Sequence, residues 1–247
     1  REIYWIDNAF VGMPTYQLGA EYPIDVLTPL YKIIRILPRP AHILFLYLLA
    51  TYCFLLVLKL PWHTSLFGAV GFGFSTYLLI ILQVGHNTKA LAVGYIPLVF
   101  SGIVLLYRNP KPFAFIITVL TLSLQIRANH YQMTYYMLLL ILVFLVSIAW
   151  DHFRKKTYKQ FFIPTLWLLL AGIFALGLNA TPLIATAEYA KFSTRGKSEL
   201  KQTADGTPKT EISTGLEYDY ITEYSYGIFE SFNLIAPRIQ GGASRED

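Results

Sequence analysis

The strongest constraint on the fold is a series of six long apolar stretches, at residues 42–60, 65–84, 90–107, 112–127, 131–150 and 161–180. A helix that crosses a bilayer needs roughly 20 apolar residues, with a range of about 17–25. Charged residues make up only 14% of the chain, whereas a soluble domain averages about 25%. That is too little charge to cover a water-facing surface. The sequence therefore predicts an all-α polytopic membrane protein with about six transmembrane helices.

Charge divides the chain into three predicted regions. Residues 1–40 carry four positive and four negative charges, residues 41–180 carry nine and one, and residues 181–247 carry seven and ten. The middle region is the transmembrane region of six helices, and the two flanks are aqueous. Within the first flank, apolar residues recur at a spacing of three to four over residues 21–37, which predicts an amphipathic helix in the membrane interface.

The cations of the predicted loops indicate an orientation. Two of the five loops hold only Lys89 and Arg127, and the other three hold Lys59, Arg108, Lys111, Arg154, Lys155, Lys156 and Lys159. The positive-inside rule places the richer loops in the cytoplasm. Six helices then put both flanks outside, which in a bacterium means periplasmic flanks on an inner (cytoplasmic) membrane protein. A first flank outside needs a preceding helix or signal, so we expect a piece of a longer protein.

The two outer turns are rich in polar side chains. Residues 83–89 read QVGHNTK and residues 125–132 read QIRANHYQ, so each turn combines a cation, a histidine and an asparagine. Lys89 and Arg127 suit a lipid phosphate, because arginine forks to phosphate and lysine acts as a point charge. The alternative is headgroup snorkelling by the cations and capping by the histidines. The predicted phosphate site and polar pocket comprise Lys89, Arg127, His86, His130, Asn87, Asn129 and Gln132.

Both flanks contain further candidates. Asp7 lies among aromatic residues and suits a general base or a metal held through water, although such an acid is more often a solvated cap. In the last flank, acids alternate with aromatic rings, a pattern that suits carbohydrate binding. An interfacial belt or ordinary packing is the alternative there. The candidate acceptor-binding residues are Tyr218, Asp219, Tyr224 and Tyr226.

Two classes of site are excluded by composition. The single cysteine, Cys53, leaves no internal disulfide framework and no cysteine-based zinc site. The net charge of +5 does not form a patch, so nucleic acid is not an expected partner. The expected partner is the lipid bilayer.

Five sequence runs together resemble the YfhO family of bacterial membrane proteins, in the form found in Bacteroidetes. They are residues 10–17 (FVGMPTYQ), 85–90 (GHNTKA), 129–136 (NHYQMTYY), 189–196 (YAKFSTRG) and 224–227 (YSYG). That family is similar to the GT-C glycosyltransferases, which transfer a sugar from a polyprenyl-phosphate carrier on the outer face. The resemblance implies a GT-C-like fold, a lipid-linked sugar donor and a cell-envelope acceptor. The resemblance does not decide whether a divalent metal is needed, and it implies no resident cofactor.

The resemblance also implies a key acid early in the first outer loop. We expect that acid upstream of Trp5, outside this sequence, and Asp7 is the nearest candidate within it. The competing interpretation is a non-catalytic membrane subunit or scaffold of a cell-envelope assembly. Transport is disfavoured, because the centres of the six apolar stretches lack Asp, Glu, Lys and Arg, whereas transporters place ionisable residues near mid-membrane.

Overall fold

The computed structural model describes residues 5–7, 12–16, 25–191, 222, 227–234 and 239. Two compact units divide the chain: residues 21–180 form the helical unit, and residues 1–20 with 181–247 form the flanking unit. The helices of the helical unit are α1 (Thr28–Ile34), α2 (Ala41–Val57), α3 (Trp62–Gly73), α4 (Thr76–Gln83), α5 (Asn87–Arg108), α6 (Pro112–Arg127), α7 (Tyr131–Arg154) and α8 (Tyr158–Leu178).

The flanking unit holds a two-residue antiparallel pair, β1 (Trp5–Ile6) and β2 (Met13–Pro14), with Trp5 opposite Pro14. Its helix α9 (Ala180–Ala190) begins at the unit boundary, and a short 3-10 helix covers Phe229–Leu234. Within this unit the ring of Tyr16 meets that of Tyr189 edge-on, at 6.4 Å between centroids. Residues 21–40 cluster with the helical unit in this division.

The predicted helix over residues 21–37 is much shorter in the structure, where α1 covers Thr28–Ile34. Residues 21–24 lie outside the described part. The chain turns immediately before α1, because the Asp25 carboxylate accepts the backbone N–H of Leu27 at 3.0 Å. Arg35 leaves helical geometry at φ −95° and ψ 21°. Leu27 is buried, and Leu30 and Ile34 pack on the helical core, so α1 docks on protein with one face.

Helix α5 is the centre of the helical unit. It packs against α2, α4, α6, α7 and α8. In its most apolar stretch of 18 residues, 67% of the residues are buried, compared with 17% for α7 and 22% for α8. An apolar helix surrounded by protein needs no lipid contact. The exposed apolar faces of α7 and α8, in contrast, suit a hydrocarbon environment. On α7 the exposed side chains include Leu138, Leu139, Leu140, Leu142, Val143, Val146 and Trp150.

All six predicted apolar stretches form helices, but not all of them meet the length of a span. Among the described residues, three helices are long and apolar enough to cross a membrane: α5, α7 and α8. A fourth candidate is the pair α3 and α4, which is bent by 47° at its break. Helices α2 and α6 are apolar but contain only 17 and 16 residues. The structure thus supports an all-α membrane protein with three to four candidate spans, fewer than the six predicted.

Tight reversals explain why these helices are short. Lys59 adopts φ 67° and Pro61 precedes the first residue of α3, so α2 cannot continue. Asn129 adopts φ 56°, a left-handed conformation that asparagine tolerates better than most residues, and it separates α6 from α7. The end of the unit formed by the turns α2–α3, α5–α6 and α7–α8 carries the seven predicted cytoplasmic cations. There the Arg108 guanidinium donates to the carbonyl oxygen of Val57.

Candidate anion-binding site at one end of the helical unit

The candidate site lies at the end of the helical unit opposite the seven cations. Two turns meet there, α4–α5 and α6–α7, and helix α1 docks beside them. Gly85, at φ 77°, reverses the first turn, and Asn129 reverses the second. Ala90, Ala128 and Met133 belong to one buried apolar cluster, which brings the start of α5, the end of α6 and the start of α7 together.

His86, Lys89 and His130 are neighbours at this end. Burial lowers the pKa of the His130 imidazole, and the charges of Lys89 and His86 lower it further, so both groups are within electrostatic range. The His130 Nδ1 accepts the backbone N–H of Met133 at 3.4 Å and caps α7. That bond puts the proton of the neutral ring on Nε2. The Lys89 ammonium lies 5.3 Å from the centre of the Tyr77 ring, a cation–π distance.

Arg127 contacts α1. Its Nη1 forms an ion pair with the Asp25 carboxylate, and its Nη2 donates to the Thr28 hydroxyl at 3.1 Å. The guanidinium carbon lies 5.2 Å from the centre of the Tyr31 ring. Burial alone would raise the pKa of Asp25, but hydrogen bonds from Arg127 and Thr28 and the Arg127 charge outweigh it. The pKa of Asp25 is therefore lowered, and this carboxyl is ionised at neutral pH.

A second guanidinium lies beside the same ring. The Arg35 guanidinium carbon is 4.8 Å from the Tyr31 centroid, so two cations flank one aromatic side chain. Tyr95 on α5 is fully buried, and its hydroxyl has no hydrogen-bond partner in the described part of the chain. Arg35, Arg127 and Tyr31 all lie within electrostatic range of that hydroxyl. Arg127 thus has the ionised Asp25 carboxylate as its partner, and the unpartnered Tyr95 hydroxyl lies within range of the Arg127 charge.

Gln125 adds a buried amide near the end of α6. Its Oε1 accepts the Thr134 hydroxyl at 3.1 Å, which ties α6 to the first turn of α7. Its Nε2 has no partner among the residues the structure describes. Burying an amide N–H without an acceptor is costly, so Gln125 has donor capacity left for a bound group.

The remaining predicted site residues have varied placements. Asn87 is half-buried at the first position of α5, and Asn129 is half-buried in its turn. Gln132 is exposed, and its Nε2 donates to the Tyr136 hydroxyl at 2.8 Å, so it does not line a closed pocket. Asp7 is exposed in the flanking unit. The predicted acceptor-binding residues, Tyr218, Asp219, Tyr224 and Tyr226, lie outside the described residues.

Sequence reasoning missed four contributors: Asp25, Thr28, Tyr31 and Tyr95. Asp25 is one of four acids in residues 1–40. A signal existed, because Arg127 ends an apolar helix where a partner is needed and Asp25 is the acid of the first flank that lies nearest to the transmembrane region. Within the described residues, no group of three or more His, Cys, Asp or Glu is arranged to hold a metal ion.

Comparison with known proteins gives no relative for this chain. No family model, no curated protein and no solved structure matches it.

Proposed function

We propose that this chain is the membrane-embedded part of a GT-C-like glycosyltransferase. It would take a sugar from a polyprenyl-phosphate carrier and pass it to a cell-envelope acceptor on the periplasmic face of the inner membrane. The observation that carries the proposal is the grouping of Lys89, His86 and His130 at the helix end opposite the seven-cation end. Under the positive-inside rule, that end faces away from the cytoplasm.

Six crossings remain part of this proposal. At 1.5 Å per residue, a helix the length of α2 or α6 is about 25 Å long, compared with a hydrocarbon core of about 30 Å. Lys111 lies at the start of α6 and would reach the headgroups by snorkelling. Local thinning of the bilayer over a short helix costs only fractions of a kcal/mol per Å. With α3 and α4 as one broken span, both flanks are then periplasmic.

The chemistry follows from charge. Phosphate gains negative charge as the glycosidic bond breaks, so fixed cations beside it stabilise the transition state more than the ground state. Lys89 supplies such a charge. His130, whose pKa is lowered, stays neutral and offers an Nε2–H donor. An acid that deprotonates the acceptor hydroxyl is also required, and Asp7 is the candidate carried over from the sequence.

The test is transfer of labelled sugar from a polyprenyl phosphate in membranes that contain the longer protein to which this chain is expected to belong. Lys89→Ala should lower the rate by about 100- to 1,000-fold, the scale for loss of one charge-stabilising donor. Lys111→Ala is the matched control, because Lys111 lies at the opposite end, and it should transfer sugar normally. Undiminished transfer by well-expressed Lys89→Ala would contradict the phosphate role.

A second candidate function is a non-catalytic scaffold of a cell-envelope assembly. The observation that favours it is the internal pairing of Arg127 with Asp25, which gives this cation a purely structural use. A scaffold predicts no sugar transfer in any variant, but loss of the assembly when Arg127 is replaced. Sugar transfer by the wild-type protein would exclude this alternative.

A further inference from the structure

Helix α1 occupies both arms of the Arg127 guanidinium. Nη1 pairs with the Asp25 carboxylate and Nη2 donates to Thr28; Thr28 is the first residue of α1, and Asp25 lies in the turn just before it. Arginine recognises a phosphate with the same two arms. In this arrangement, α1 therefore fills the position that a phosphate would take at Arg127.

The surroundings of Arg127 contain a buried donor without an acceptor. Arg35 and Arg127 share the Tyr31 ring, and the buried Tyr95 hydroxyl within their range has no partner in the described chain. A phosphate monoester carries up to two charges and three terminal oxygens. It would accept from both arms of Arg127, as Asp25 and Thr28 do now, and it leaves a further oxygen for a donor such as the Tyr95 hydroxyl.

Few contacts keep α1 docked on the helical unit. It has seven residues and no side-chain cap at its N-terminus, and a helix this short is unstable on its own. Its contacts are the buried Leu27, the partly buried Leu30 and Ile34, and the polar contacts to Arg127. Ile33 and Ile36 are exposed. A ligand that displaces Asp25 would thus remove a large share of what keeps α1 docked.

We propose that Asp25 is an internal competitor for Arg127, and that α1 is a lid which a phosphate monoester displaces when it binds there. The proposal rests on the proposed function only for the lipid that carries the phosphate. A free phosphate ion has the same chemistry. Closed, the lid keeps Arg127 paired; open, it frees both arms of the Arg127 guanidinium for the ligand.

The experiment measures binding to the full chain in phosphatidylcholine nanodiscs, with a polyprenyl monophosphate in one arm and inorganic phosphate in the other. Asp25→Asn removes the competing charge and keeps the side-chain size, so affinity should rise at least about five-fold, the lower end of typical coupling between two sites. Leu30→Ala loosens α1 without changing charge and should also tighten binding. Arg127→Gln should abolish binding.

The matched control is Asp151→Asn. Asp151 is an exposed acid at the opposite end, paired with Lys155 at 2.7 Å, and its replacement should leave affinity unchanged. Spin labels at Ile33→Cys and Tyr135→Cys, in a Cys53→Ser background, report on the lid directly. With saturating ligand, the distribution of distances between the labels on α1 and α7 should gain a longer component. The Asp25→Asn variant should already populate this longer distance in part of the molecules without ligand.

The outcomes separate the two proposals. Lipid phosphate that binds wild type but gains nothing from Asp25→Asn or Leu30→Ala overturns the lid and leaves the proposed function standing. If inorganic phosphate binds, binds more tightly to Asp25→Asn and outcompetes the lipid-borne phosphate, the lid is supported. The lipid-linked donor of the proposed function is then excluded. Failure of both ligands to bind Asp25→Asn overturns both.

Discussion

Gly102 on α5 lies directly against the backbone of Thr118 on α6. A Cβ placed at residue 102 would be 2.9 Å from the Thr118 Cα and 2.8 Å from its Oγ1. Real Cβ atoms do not approach backbone so closely, so these two helices are in contact only because residue 102 has no side chain. Small residues at helix crossings serve this purpose in membrane proteins.

Gly102→Ala should therefore destabilise the protein. The new methyl group has to push α6 away from α5, and overpacking of this kind costs about 1–3 kcal/mol. The measurement is the free energy of unfolding in mixed micelles by SDS titration. Gly172→Ala on α8 is the matched control, because nothing lies within 4 Å of its added Cβ. That variant should be neutral or gain up to about 1 kcal/mol from helix propensity. Equal losses in both variants would contradict the close contact.

Asn179→Ala should break a link between α8 and α6. The Asn179 amide is buried and donates to the carbonyl oxygen of Ser123 at 3.1 Å and to that of Ala175 at 2.9 Å. We expect a loss of about 1–2 kcal/mol, within the range for polar contacts between membrane helices. Asn109→Ala, at an exposed position after α5, should change stability by less than about 0.5 kcal/mol. An Asn179→Ala variant as stable as Asn109→Ala would show that the link is not needed.

Stability should fall as the pH drops below the ordinary pKa of histidine, because of His130. Burial and the nearby Lys89 and His86 lower its folded-state pKa, so the unfolded chain takes up the proton first. The free energy of unfolding then decreases from about pH 6.5, the unfolded value, down to the folded pKa, and is constant below it. His130→Gln should flatten this part of the pH profile. His63→Gln, at an exposed position on α3, should leave the profile intact, and an unchanged slope in His130→Gln would refute the assignment.

The two ends of the helical unit should face opposite sides of the bilayer. Single cysteines at Gln83 and Lys156, in a Cys53→Ser background, sample exposed positions at the end of α4 and in the α7–α8 turn. In intact cells, an impermeant thiol reagent that enters the periplasm should label Gln83→Cys and spare Lys156→Cys until the membrane is opened. The reverse pattern would invert the orientation, and labelling of both would mean that the helices do not span.

The sequence by itself determined the helical, membrane-type architecture. Runs such as residues 131–150 contain no charge, and without water the backbone must satisfy its own hydrogen bonds, which a helix does locally. The start of α6 was also readable, because proline is tolerated in the first turn of a helix and Pro112 is the first residue of α6. The grouping of Lys89, His86 and His130 could be expected too, because two short turns between neighbouring helices lie at one end.

Only the tertiary structure decided which helices are buried and which partner each charge takes. Helix α5 and helix α7 have equally apolar sequences, but α5 is surrounded by five other helices, and no local pattern reports its neighbours. The pairing of Arg127 with Asp25 joins the end of α6 to the segment before α1, far apart in the chain. Such a contact depends on how α1 packs on the helical core through its own Leu30 and Ile34. This packing is a property of the assembled core rather than of sequence spacing.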